Sequence, residues 1–360
     1  MHKDDQMTPN ERMAAFMTGK EMDRILTMPI LVSVAHRVYG MTHKEKRSSA
    51  RYQAEAQIAC YERYGNDIMI IEYGLHGIGT AIGTEMTDPE DSVPAIRNHV
   101  LKDLSDIDSL DFSKTSKEKD PWLKSNLEAC EICMDKMGKE VPIGVLISGP
   151  FTAAASIYPV ELILRATRKN PDDVHKLLRL CTDSLKEIYL DFIKTGAIII
   201  QCDPIASGTL LRQKQYQEFV KPYATELNEV IQKAGGINTY HICGDSSKIT
   251  EDMVDTGCNM LSVDNIVDLE KIKELVGDKV PILGNIDPVG ILLHGDREGI
   301  HLAVKEAIRK AYDSPSGYIL ASGCDMTQNV PLENIEYMME VTNSYMLTAS
   351  HVRKEHGVIV

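Results

Sequence analysis

A formal net charge of −14 over 360 residues, with no dense lysine or arginine cluster, argues against a nucleic-acid partner, because phosphate binding needs a basic footprint. No stretch approaches the ~20 apolar residues of a membrane span, and the opening MHKDDQMTPNERMAAF carries charges where a signal peptide has an apolar core, so a cytoplasmic protein is expected. The eight cysteines (60, 130, 133, 181, 202, 243, 258 and 324) are then expected as free thiols or metal ligands, not as a disulfide framework.

In chain order, TPNERMAAFMTGK reads as a helix capped by Thr8 with Pro9 in its first turn. Short β-branched runs follow, each leading through a polar turn into a helical pattern. They are PILVSV from Pro29, DIMIIE from Asp67, PIGVLIS from Pro142, AIIIQ from Ala197, INTYHI from Ile237, NMLSV from Asn259, VPILGNI from Val280 and GYILAS from Gly317. Eight strands alternating with helices predict an α/β fold, a (β/α)8 TIM barrel with an N-terminal helical extension, as a single domain over residues 1–360. A doubly wound sheet is the alternative, and the number of units favours closure. The long acidic, Pro-marked gap after the second strand predicts an insertion with short helices at the barrel mouth. Asn170-Pro171 divides the segment between strands three and four into two helices.

Sites in such barrels are built from the C-terminal ends of strands. Those ends carry His36 and Arg37, Glu72, Ser148, Asp203, His241 and Cys243, Asp264, Asn285 and Asp287, and Cys324. In a strand, residues two apart share a side, so His241 and Cys243 face one space, and Cys324 ends the last strand, which closure brings toward them. Two thiolates and an imidazole suit zinc and leave a fourth position open for chemistry. Two thiolates cancel the charge of the ion, so a further substrate thiolate there would stay nucleophilic. Other candidates weigh less. Cys258 lies at the opposite end of its strand; Cys202 should face the helices if Asp203 faces inward; Cys130 and Cys133 fall in helical periodicity without a second pair and read as core. HGIGTAIGTE has the wrong spacing for a dinucleotide loop, and His294 and His301 read as solvated.

The stretches YHICGDSSKITEDMVDTGCNMLSVDN, ISGPFTAAASI and ASGCDMTQNVPLENIEYMME resemble the uroporphyrinogen decarboxylase superfamily, and more closely its branch of corrinoid-dependent methyltransferases. The resemblance implies a TIM barrel, zinc at His241, Cys243 and Cys324, and methyl transfer between a methylcobamide on a separate corrinoid protein and a small acceptor, a thiol such as coenzyme M. On this reading Glu72 is a displaceable fourth group at the metal, Asp203 and Asp264 orient the acceptor, and Arg37, Ser148 and Asn285 are candidates for holding the corrinoid. The chain has no Asp-x-His-x-x-Gly stretch of the kind that corrinoid-carrying domains use, so the cobamide is expected on a partner. Against decarboxylases, Gly74 stands where they have their essential Asp, and HRVYGM, with Arg37, replaces their arginine-rich stretch. A substrate with many carboxylates would lack its clamp. The alternatives kept open are a donor-side methyltransferase, moving methyl from a small substrate onto the corrinoid protein, and a non-enzymatic zinc-binding barrel.

Overall fold

The computed structural model describes residues 5–345. Strand β1 (Met69–Gly74) is followed by a small hairpin, β2 (Glu85–Met86) and β3 (Ile96–Asn98), and then by β4 (Ile143–Ser148), β5 (Ile198–Cys202), β6 (Asn238–Ile242), β7 (Met260–Val263), β8 (Ile282–Ile286) and β9 (Tyr318–Ser322). Seven of these form one parallel sheet in the order β1-β4-β5-β6-β7-β8-β9, with helices on the outside. Their alternation is visible in the packing. Ile70, Leu146, Ile200, Met260, Leu283 and Ile319 share an interior cluster. Ile71, Val145, Ile199, Leu261, Ile282 and Leu320, each one position away, pack outward under the helices.

The first expected strand is corrected by the structure. The pairing residues are 26–28, just before PILVSV: Met28 N–H donates to the Leu320 carbonyl (2.8 Å), Leu320 N–H to Leu26 (3.0 Å), and Asp67 N–H to Thr27 (2.9 Å). This segment therefore joins the two edges of the sheet and occupies the eighth place of the barrel. It goes no further as a strand because Pro29 has no N–H to donate, and the next amides turn to side chains: Ile30 to Ser322 Oγ (3.0 Å) and Val32 to Asp325 (3.0 Å).

The N-terminal helix Pro9–Met17 begins at Thr8, whose hydroxyl accepts from Glu11 N–H while Glu11 reaches back, a complete capping box. The helices Val160–Lys169 and Pro171–Lys194 meet at Asn170 as expected. The insertion after β1 holds the hairpin and two 3-10 turns, Leu104–Ser109 and Phe112–Thr115. Under the N-terminal end of the barrel, fully buried Asp67 receives Arg12 (2.5 Å) and Arg24 (2.7 Å), and the same guanidinium groups bond Asp23 (2.7 Å) and Asp5 (2.8 Å). No helix of the described residues is long and apolar enough to cross a membrane.

Candidate metal centre

His241 lies in β6 with Cys202 of β5 and Ser262 of β7 as register partners. Tyr240 and Ile242 pack outward, so His241 points into the barrel, where it is 2% exposed. Cys243 follows the strand end. Gly244 then turns the chain at φ +80°, and a Cβ there would come within 2.8 Å of Ser207 Oγ, so the turn needs glycine. Cys324 follows β9 directly after Gly323, whose Cβ would meet the Asn265 backbone at 2.5 Å.

The three ligand atoms lie within 4.8 Å of one another. His241 Nε2 is 3.1 Å from Cys243 Sγ, and the two sulfurs are 3.2 Å apart. Ligands on one tetrahedral zinc stand about 3.5–3.8 Å apart, so this donor set fits the ion after outward movement of about half an ångström. The donor chemistry fits as well: one borderline nitrogen and two soft sulfurs select zinc over magnesium or calcium. Among the described residues no fourth His, Cys, Asp or Glu joins the group.

The surroundings orient these ligands. His241 Nδ1 lies 3.0 Å from Ser262 Oγ, which leaves Nε2 for the sulfurs. Asp264 Oδ2 accepts from Gly244 N–H (2.6 Å) and so holds the Cys243 loop, while Asn285 Nδ2 donates to the carbonyls of Asp264 (2.9 Å) and Val267 (2.7 Å). Asp325 accepts from the amides of Val32 (3.0 Å) and Ser33 (3.2 Å) and from the Ser33 hydroxyl (2.5 Å), which fixes the residue after Cys324. Cys324 is held well below the usual thiol range by a hydrogen bond from Cys243, against the effect of burial and with His241 assisting. Cys243 is pushed up by the same bond and by burial. Burial opposes charge on His241, but its bond to Cys324 and the charges of Cys324 and Asp264 raise it overall. Within the trio the proton is thus held more firmly by Cys243 than by Cys324.

Other sequence candidates are placed differently. Asp203 is fully buried and caps the helix Pro150–Ile157, accepting from Thr152 N–H (2.7 Å) and Phe151 N–H (3.3 Å); burial pushes its carboxyl up to about 6. Its side chain serves the helix end. Cys202, expected to face the helices, belongs to the barrel-interior cluster; Asp203 has left extended geometry, so strand parity does not carry past Cys202. Glu72 lies 3.4 Å from Lys46 Nζ and is not among the clustered ligands. Arg37 is exposed and donates to the carbonyls of Gln328 (2.6 Å) and Val330 (2.9 Å), so its guanidinium ties down the loop after β9. Ser148 is fully buried and its hydroxyl has no protein partner. His36 is buried against Ser33 and the His43 ring, and Asp287 accepts from Val289 and Gly290 in a local turn. Cys130, Cys133 and Cys258 are buried in the outer core, and the glycines of HGIGTAIGTE allow close packing, Gly77 on the Tyr73 ring and Gly79 on Ser156. His294 and His301 are exposed.

Ser262, Lys46 and Asp325 were not singled out from the sequence. The signal for Ser262 was available, since it lies two residues before Asp264 and shares its side of the strand. Asp325 stood next to Cys324, but its partners, 292 and 293 residues away in the chain, had no pattern to mark them.

The model of the family "Uroporphyrinogen decarboxylase (URO-D)" matches residues 8–345. The chain belongs to the uroporphyrinogen decarboxylase family. A methylcobamide:CoM methyltransferase (MtaA) of Methanosarcina barkeri is 26% identical over 347 residues, covering 94% of this chain and 99% of the relative. A second family relative, the methylcobamide:CoM methyltransferase MtbA of Methanosarcina acetivorans, is 30% identical over 253 residues, covering 70% and 72%. The solved structure of a methyltransferase from Methanosarcina mazei superposes with a TM-score of 0.81 at 24% identity, covering 95% of this chain and all of that one, which shows a shared fold.

Proposed function

We propose that this chain is a methyltransferase that moves a methyl group between a methylcobamide, presented by a separate corrinoid protein, and a small acceptor, a thiol in the first instance. One observation carries the reading: His241, Cys243 and Cys324 converge within 4.8 Å at the strand ends of a barrel whose relatives are named as methylcobamide:CoM methyltransferases. His241, Cys243 and Cys324 would hold zinc, which with this neutral donor balance binds a thiol as its thiolate and keeps the sulfur nucleophilic.

The chain's own residues support that chemistry in three ways. Ser262 fixes the imidazole so that Nε2 faces the sulfurs. Asp264 and Asp325 immobilise the loops that carry Cys243 and Cys324. The buried wall of β5, β6 and β7 excludes water from one side of the site, so an acceptor approaches from the mouth. In the transfer the acceptor sulfur attacks the cobalt-bound methyl in line; the sulfur–carbon bond forms, the cobalt–carbon bond breaks with both electrons remaining on cob(I)amide, and the thiol proton passes to solvent.

Metal analysis and a methylcobalamin assay test this together. The purified protein is expected to carry one zinc and to demethylate methylcobalamin with a thiol, and Cys243→Ala and Cys324→Ala to lose both. Full zinc retention by both variants would refute the ligand set.

A further inference from the structure

A cleft of about 440 Å³ opens at the end of β1, between the helix His43–Arg47 and the hairpin β2–β3. Glu72, near the C-terminal end of β1, forms part of its wall and joins it to the barrel mouth through Lys46, whose Nζ lies 3.4 Å from Glu72 and donates to the carbonyl of Val32 (2.8 Å), the residue whose amide bonds Asp325 beside Cys324 (3.0 Å). Much of the rest is apolar, with Leu75, Met86, Val93, Pro94 and Trp122 among the lining residues. The formal charges of the wall cancel, two cations (Lys44, Arg47) against two carboxylates (Glu72, Asp88). They are also engaged: Lys44 and Arg47 both bond Asp88, at 2.6 and 2.9 Å, and Glu72 lies 3.4 Å from Lys46.

Two imidazoles complete the lining. Burial pushes His76 down and His43 down to about 3, so both are neutral. His43 Nδ1 accepts from Arg47, a group with only donors, so the ring proton is on Nε2. That Nε2 and His76 Nδ1 lie beneath the cleft surface without a protein partner, so the rings add no charge to the wall and no open polar atom at these two positions. A sulfonate or carboxylate in this cleft would compete with Asp88 for Lys44 and Arg47, whereas an uncharged ring gains from burial against the apolar wall.

We infer that this cleft receives the non-reacting part of the small molecule that exchanges the methyl group, and that this part is uncharged, mainly apolar and larger than the two-carbon chain of a short anionic thiol. The assignment to a methyl-exchange substrate rests on the proposed function; the selectivity of the cleft does not.

Trp122, the sole tryptophan of the sequence, lines the cleft and reports its occupancy by fluorescence. Methoxybenzene and ethanesulfonate, neither of which carries a thiol, serve as probes. Methoxybenzene is expected to change Trp122 emission saturably, with the same Kd within twofold in the wild type and in Cys324→Ser, and at least tenfold more tightly than ethanesulfonate. Thr80→Phe, at an exposed lining position, should weaken it tenfold or more while circular dichroism stays unchanged. Ethanesulfonate binding as tightly as methoxybenzene, no saturable change with methoxybenzene, or unaltered binding in folded Thr80→Phe would each overturn the inference. Methoxybenzene binding in a protein that demethylates methylcobalamin with no acceptor would remove the proposed function and uphold the cleft's selectivity.

Discussion

Asp67 and His241 are both buried polar groups of one barrel, at opposite ends, and their partners could hardly differ more. Around Asp67, two guanidinium groups and the Thr27 amide (2.7 Å) converge on one carboxylate, and Asp5 and Asp23 take up further guanidinium donors. Around His241, two sulfurs crowd one nitrogen, and apart from Ser262 the trio has chiefly itself for company. Complete pairing at the N-terminal end costs no reactivity and ties the first helix, the closing segment and β1 together. The incomplete pairing at the C-terminal end leaves donor capacity for an ion and a substrate.

The comparison breaks most visibly at Asp67. Asp67→Ala leaves buried Arg12 and Arg24 short of a counter-charge and should cost about 3–5 kcal/mol, read by denaturant unfolding, while folded molecules still bind zinc. A loss below about 1 kcal/mol would mean that Asp5 and Asp23 suffice alone. At the other end, Ser262→Ala should do the reverse, lowering zinc affinity roughly ten- to a hundredfold in competition with a chelator and leaving the unfolding transition nearly in place.

Acid sharpens the contrast. Burial works against ionised Asp23, but the Arg12 hydrogen bond and the Met7 and Gln6 amides bring its carboxyl down to about 2. A carboxyl lowered on folding contributes stability that is full above its unfolded pKa of about 3.9 and is lost as pH falls from there toward about 2. Asp23→Asn should flatten the stability profile in that window and leave it unaltered near neutrality in shape. The smallest effect is expected at Asp203→Ala, about 1 kcal/mol from the lost cap with zinc content unchanged. Loss of zinc there would give Asp203 a role at the metal that its hydrogen bonds do not suggest.

What could be read from the sequence follows from which interactions are local. Seven sheet strands and the convergence of His241, Cys243 and Cys324 were legible because alternation, turn residues and strand ends are short-range patterns, and β6 and β9 obey them. The first strand was misplaced because PILVSV is apolar for a different reason: Ile30 and Val32 belong to the barrel-interior cluster, yet their amides bond the side chains of Ser322 and Asp325, almost 300 residues distant in the chain. Cys202 was assigned to the wrong face by counting from Asp203, whose backbone has already turned toward the helix it caps. The hairpin that walls the cleft left no signal, since two- and three-residue strands are too short for periodicity.

The closing segment 26–28 and the late position of Cys324 have a consequence for biosynthesis. A growing chain acquires His241 and Cys243 some eighty residues before Cys324, and β9 pairs on one side with β8 and on the other with residues made at the very start. Until that last strand emerges and finds the first, the nascent protein offers a metal ion two donors instead of three. The three donors are complete and held in place only where the two ends of the chain have met, and an ion bound by all three would certify a finished barrel.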